Sequence, residues 1–180
     1  MLDRTLPLAA SAMLFSGPAF GATLQSANFI DIAIGSANYS DGLSVAQFDP
    51  SLGTLERVDW EVRSGFITTQ GMFNDRFEPF PFFPSVTVVY LYSGGSPDAL
   101  SPTIRNLSDQ ADPFLVPARQ TVSVNLSASV TETGDATTEL AGWIGGGTVG
   151  FDANITAVEL QNDPYFSVTV ATVDFTVTYS

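Results

Sequence analysis

From Thr121 to Thr131 apolar and polar residues alternate without a break. Val122, Val124, Leu126, Ala128 and Val130 share one face, and threonine, serine and asparagine hold the other. A period of two with one apolar face predicts an antiparallel strand lying half on a core and half in water. The same reading holds for Phe29–Ile34, Leu43–Phe48, Leu55–Phe66 and Thr148–Val158, with Val58, Trp60, Val62 and Phe66 sharing a face. In Val86–Tyr92 apolar residues fall on both faces, which predicts a central strand buried on both sides. The closing stretch changes phase, since Phe166, Val168 and Val170 are even and Val173, Phe175, Val177 and Tyr179 are odd. A β-bulge near Ala171 and Thr172 would keep both halves facing inward. Turns are expected at Asp49–Gly53, Ser93–Pro97, Thr133–Asp135 and Asn162–Pro164. No stretch has sustained helical spacing. The pattern therefore predicts an all-β fold, a single antiparallel β-sandwich of jelly-roll or Ig-like kind with about eight strands.

The N-terminus is organised differently. A short polar start (Asp3, Arg4) precedes an apolar stretch from Leu6 to Phe15, then Gly17, Pro18 and the small residues Ala19 and Gly21. That order predicts a secretory signal at residues 1–21, cleaved after Gly21, and a β-sandwich domain over 22–180. As a membrane span the stretch is too short, at about half of the roughly 20 apolar residues required.

Composition then excludes chemistry. The chain has 19 acids against 6 arginines and no lysine, a net charge of −13, and removing residues 1–21 takes one of each. Such a surface repels phosphates and anionic lipids, so no nucleic-acid partner and no integral membrane segment beyond the signal are expected. With no Cys and no His, there are no disulfides, no zinc site of the usual ligands, no thiol nucleophile and no Ser-His-Asp triad. Without Lys there is no Schiff base. Only carboxylates remain for catalysis, and the chain is expected not to be an enzyme.

Three segments carry a resemblance. Phe48-Asp-Pro-Ser-Leu-Gly-Thr-Leu55 opens a strand, Glu139-Leu-Ala-Gly-Trp-Ile-Gly-Gly-Gly-Thr-Val149 follows far downstream, and the closing strand ends Thr176-Val-Thr-Tyr179. In that order and spacing, over most of residues 27–180, the chain resembles the choice-of-anchor E domain, a family of exported bacterial β-rich domains. The resemblance implies a place outside the cell and no assigned activity. Similar proteins carry a PEP-CTERM-type or other C-terminal anchor after the domain. This sequence ends at Ser180 without one, so a secreted chain, released or held by a partner, is expected. The first segment also reads as a turn, with Asp49 capping, Pro50 setting φ and Gly53 taking positive φ. Gly145–Gly147 reads as a glycine turn, since no helix follows to make a phosphate cradle.

The most individual feature is the loop 73–84, Phe-Asn-Asp-Arg-Phe-Glu-Pro-Phe-Pro-Phe-Phe-Pro. Its prolines favour extended backbone, and leaving its phenylalanines in water costs roughly 1.5–3 kcal/mol each. Phe77, Phe80, Phe82 and Phe83 therefore either plug an open end of the sandwich or meet a partner, an extracellular polysaccharide or a surface protein. Trp143, beside glycines, is a candidate platform for a sugar ring, whereas Trp60 reads as core. Asp109 and Asp112, and equally Asp135 and Glu139, are weak calcium candidates, since carboxylates are the natural ligands. Asp59 and Glu61 share a strand face at a spacing that suits glycoside hydrolysis. Arg57 and Arg63 on that face make salt links the simpler reading.

Overall fold

The computed structural model describes residues 21–31, 37–97, 100, 102–103, 105–158 and 165–180. The signal up to Phe20, the turn at Asn162–Pro164 and the end of the expected strand Phe29–Ile34 lie outside the described residues. Ten strands are present among them: β1 (Gly21–Asp31), β2 (Ala37–Ala46), β3 (Val58–Phe73), β4 (Phe80–Phe82), β5 (Ser85–Ser96), β6 (Arg105–Gln110), β7 (Phe114–Val116), β8 (Thr121–Ala136), β9 (Thr148–Val158) and β10 (Tyr165–Tyr179). The helical pieces are two short 3-10 turns, Pro50–Leu52 and Leu140–Trp143.

The strands pair from the outside in. β1 lies against β10, β2 against β9, β3 against β8, β4 against β7 and β5 against β6, all antiparallel. Two further ladders, β10 with β3 and β9 with β5, roll this nested hairpin up. The product is two four-stranded sheets, ordered β1-β10-β3-β8 and β2-β9-β5-β6, with β4-β7 as a small third ribbon. That is a jelly roll. Residues Gly21, Val58, Ala136, Thr148 and Tyr179 lie at one end, here the terminal end; Phe73, Ser85, Thr121 and Tyr165 lie at the far end.

Alternation supplies the core. Val58, Val62 and Phe66 of β3 and Val173, Phe175 and Val177 of β10 face Val88 and Tyr90 of β5 and Phe151 and Ile155 of β9, all buried. Phe151 sits edge-on to Tyr92 at 5.2 Å and to Phe175 at 5.1 Å, the arrangement aromatic quadrupoles favour. Each such side chain contributes about 1.5–3 kcal/mol by leaving water, which is how a chain with no cysteine holds together.

Four expectations need correction. β10 has no bulge: its register runs unbroken along both β1 and β3. Its odd positions face inward throughout, so Ser167 and Thr169 are buried while Phe166 and Val168 point out at 44% and 38% exposure. Laddered on both sides, β10 cannot insert a residue without breaking two pairings, and Thr169 is satisfied inside by Thr68 at 2.9 Å. The irregularity lies instead in β5, between Ser93 and Ser96, so the expected turn there is strand with a kink. Thr133–Asp135 is not a turn either. Gly134 lies in β8 opposite Trp60, whose indole fills the space a Cβ would need. Finally, β5 is central, but its outer face is open, with Leu91 42% exposed.

Candidate functional site

At the far end, the β4–β7 ribbon covers the mouth of the sandwich. Pro81 is no obstacle in so short a strand, and Phe80, Pro81 and Phe82 register with Val116, Leu115 and Phe114. Alternation sends Phe82 and Val116 inward onto Met72, where all three are buried with Phe80, Phe114, Val122 and Val124 around them. Phe82 meets Phe114 edge-on at 5.6 Å.

Asn74 sets the shape of this cap. It is 1% exposed, and its amide donates to the carbonyl oxygens of Glu78 (2.8 Å), Val116 (2.9 Å) and Pro117 (3.2 Å). Its carbonyl accepts from the Arg76 backbone N–H at 3.0 Å. One buried amide thus ties both loops of the cap together, as a buried polar group requires.

The outer side of the cap mixes exposed apolar side chains with charges. Phe77 is 85% exposed, Leu115 63% and Phe83 61%. The Arg119 guanidinium lies 4.3 Å over the Phe77 ring and that of Arg76 lies 3.8 Å over Phe80, the geometry of a cation on a π face. Arg119 reaches this place from a left-handed backbone, φ 59°, which costs a non-glycine residue about 1 kcal/mol. Asp75, Glu78 and Asp112 are also exposed on these loops.

The expected aromatic residues therefore divide. Phe82 and, in part, Phe80 form the plug; Phe77 and Phe83 are surface. Trp143 corrects the sugar-platform reading: it is fully buried, because its segment folds onto Phe48, whose N–H donates to the Trp143 carbonyl at 2.8 Å. β7, Asn74 and Arg119 were missed by sequence reasoning. Phe114–Val116, an apolar run between Pro113 and Pro117, is the signal that was available for β7.

The terminal end gathers Phe48–Leu55, Glu139–Val149 and the end of β10. Asp49 accepts from the Ser51 N–H at 2.8 Å and so caps the Pro50–Leu52 turn, and Gly53 has φ 147°. That hydrogen bond holds the Asp49 carboxyl below its ordinary pKa. The Gln47 amide clamps the glycine segment, accepting from the Gly147 N–H and donating to the Gly142 carbonyl, both at 2.9 Å. Tyr179 packs edge-on to Phe48 at 5.9 Å and donates to the Ala46 carbonyl at 2.8 Å. These contacts close the sandwich and leave a shallow, open depression of about 380 Å³ between Asp49–Pro50 and Gly145–Gly147.

Beside them, on the outer face of the β1-β10-β3-β8 sheet, lies an open depression of about 410 Å³ lined by Arg57, Asp59, Glu61, Thr133, Asp135, Thr176 and Thr178, with Trp60 beneath. Arg57 donates twice to Asp59, at 2.6 and 2.9 Å, and stands 3.7 Å from Asp135; Arg63 pairs with Glu61 at 2.5 Å. The Arg57 hydrogen bond lowers the Asp59 pKa and Asp59 raises that of Arg57. A general acid for glycoside cleavage needs its pKa raised instead.

The calcium candidates are placed apart. Asp109 accepts from the Ser127 N–H at 2.8 Å and the Gln110 N–H at 2.9 Å, which joins β6 to the free edge of β8. Asp112 is exposed on the loop that follows. Among the described residues no three acids are grouped so that they could hold a metal ion, and no helix is long and apolar enough to cross a membrane.

No protein-family model matches the chain, and no curated protein matches it. Solved structures with some likeness include viral ones. The extra small virus particle of the giant freshwater prawn Macrobrachium rosenbergii aligns over 98% of this chain and 92% of its own at 11% identity, with a TM-score of 0.26. Infectious bursal disease virus, Gx strain, aligns over 88% of this chain and 35% of its own at 6% identity, TM-score 0.28. Turnip yellow mosaic virus aligns over 98% and 89% at 17% identity, TM-score 0.27. Scores of that size add nothing to the jelly roll that the ladders define.

Proposed function

We propose that the chain is an exported, non-catalytic interaction domain that docks its aromatic cap into an apolar groove on a surface protein. The observation that carries this is the exposure of Phe77 and Phe83, 85% and 61%, on either side of a strand anchored by the buried Phe82 and next to the buried Asn74. Rings left in water on a rigid mount are what a partner pocket takes up. Arg119, held in a left-handed backbone over Phe77, supports the reading, since strain of that kind collects at functional positions. A surface protein fits better than a polysaccharide because the cap offers projecting Phe and Leu side chains, and the indole nearest to a sugar platform is buried. Export rests on the order of residues 1–21, and kinship with choice-of-anchor E rests on the three segments that meet at the terminal end.

Cells that export the chain supply the test. We expect the protein outside the cell, its first residue at or next to Ala22 by mass, and retained on the cell surface. Retention falls at least tenfold with Phe77→Ser and Phe83→Ser together and after protease shaving of the cells, and survives periodate oxidation. Loss to periodate alone would replace the protein partner with a polysaccharide. Retention by the double variant would remove the cap as the site.

A further inference from the structure

The unbroken register of β10 turns one half of the outer sheet inside out. Toward the far end, Thr68, Gln70, Ser167 and Thr169 face the interior at no more than 3% exposure, whereas Ile67 (61%), Phe166 (44%) and Val168 (38%) face solvent. The outward residues are neighbours by register: Phe166 opposes Gly71, Val168 opposes Thr69 and Val170 opposes Ile67. An isolated sandwich gains nothing from placing its hydroxyls within and its hydrocarbon without. The arrangement makes sense when the outer face is itself buried.

We propose that a second copy of this chain covers it, in a symmetric dimer of the two β1-β10-β3-β8 sheets packed face to face. Charge selects the occupant. From the Gly65 row to the Phe73 row, the outward positions of β3, β8 and β10 hold no charged residue, on a chain of net charge −13. A second copy therefore meets no like charge across these rows. Along β3, β8 and β10 the outward charges, Asp59, Glu61, Asp135 and Asp174 among them, lie in the terminal half. A dyad through the far half sets the two copies antiparallel and sends those acids in opposite directions.

The area is that of a weak, reversible association. β3 and β8 span nine of these rows, β10 eight and β1 four; at about 4.8 Å between strands and about 3.3 Å per residue that gives about 480 Å² per copy, or about 950 Å² in all. Phe166, Val168 and Ile67 form its centre, and the Thr, Ser and Asn side chains of β8 form a polar rim.

Sedimentation of the full chain tests the dimer. We expect twice the 19.1 kDa mass, with association strengthened by salt as the self-repulsion is screened. Ile67→Lys, and separately Val168→Lys, weaken association by about 100-fold and melt no lower than the parent diluted to monomer, because both side chains are exposed in the monomer. Leu91→Lys, on the other sheet's outer face, leaves the dimer intact. A wild-type chain that stays monomeric, lysine variants that still pair, or a Leu91→Lys variant that falls apart equally would overturn the proposal. So would a monomer that binds neutral lipid vesicles through Phe166.

Discussion

Phe166 lies across the β10–β3 ladder from Gly71, and its ring occupies the space that a Cβ on Gly71 would need. The ring is 44% exposed and ends in solvent, so it can swing aside. Gly71→Ala should therefore cost no more than about 1 kcal/mol in monomer stability. Gly150 makes the opposite case, because a Cβ there would overlap the backbone carbonyl of Leu43 on the paired strand. Backbone held in a ladder cannot yield, and Gly150→Ala should cost about 3 kcal/mol or more. Urea unfolding of the two variants measures the difference.

The cap predicts a division among phenylalanines. Phe82→Ala opens a cavity beside Met72 and Val116 and should cost about 3 kcal/mol. Phe77→Ser and Phe83→Ser should each fall within about 0.5 kcal/mol of the parent, as surface changes do. Equal losses from all three would mean that the exposed rings are structural as well.

Asn74→Asp gives a pH-dependent test of the buried hub. A carboxylate there would face the carbonyl oxygens of Glu78, Val116 and Pro117 with nothing to donate, so its folded-state pKa is raised. Stability is then present below the unfolded value and lost as pH rises through the folded one. The variant should melt well below the parent at neutral pH and recover most of the gap below about pH 4.

Two tyrosines govern the alkaline limit. Burial, and then the neighbouring Tyr92, raise the Tyr90 phenol above its ordinary 10.0; burial pushes Tyr179 up to about 12. Both donate to backbone carbonyls, Tyr90 to Gly65 at 2.6 Å and Tyr179 to Ala46 at 2.8 Å. The unfolded phenols ionise first, so stability is full below pH 10 and declines as pH climbs from 10 toward 12. Melting scans across that window should show the decline, and Tyr179→Phe should lessen it to the part due to Tyr90 while lowering stability at neutral pH by about 1 kcal/mol.

Strands, faces and the capping turn at Asp49 were legible because each is written in residues within one or two places of each other. Trp60 was placed in the core by Val58 and Val62 on its own face. Trp143 could not be, since its neighbours are glycines and its burial comes from Phe48, far away in the chain. The phase of β10 misled for the same reason. Phe166 and Val168 appear to belong inside until β1 and β3 are seen to hold the strand from both edges. Gly134 looked like a turn because the ring it accommodates, Trp60, sits on another strand. Phe77 and Phe83 could not be told from Phe82 by composition, and only the pairing of β4 with β7 separates them.

The nested pairing bears on how the domain meets mechanical tension. Gly21 and Tyr179 form the first rung of the β1–β10 ladder, side by side at one end. A pull applied between Gly21 and Ser180 loads that rung first and passes to the next only when it has opened. The ladder unzips one pair at a time and never bears load in shear along its eleven rungs. Drawn by its two ends, the fold should peel open at low force, although its core is packed from both sheets.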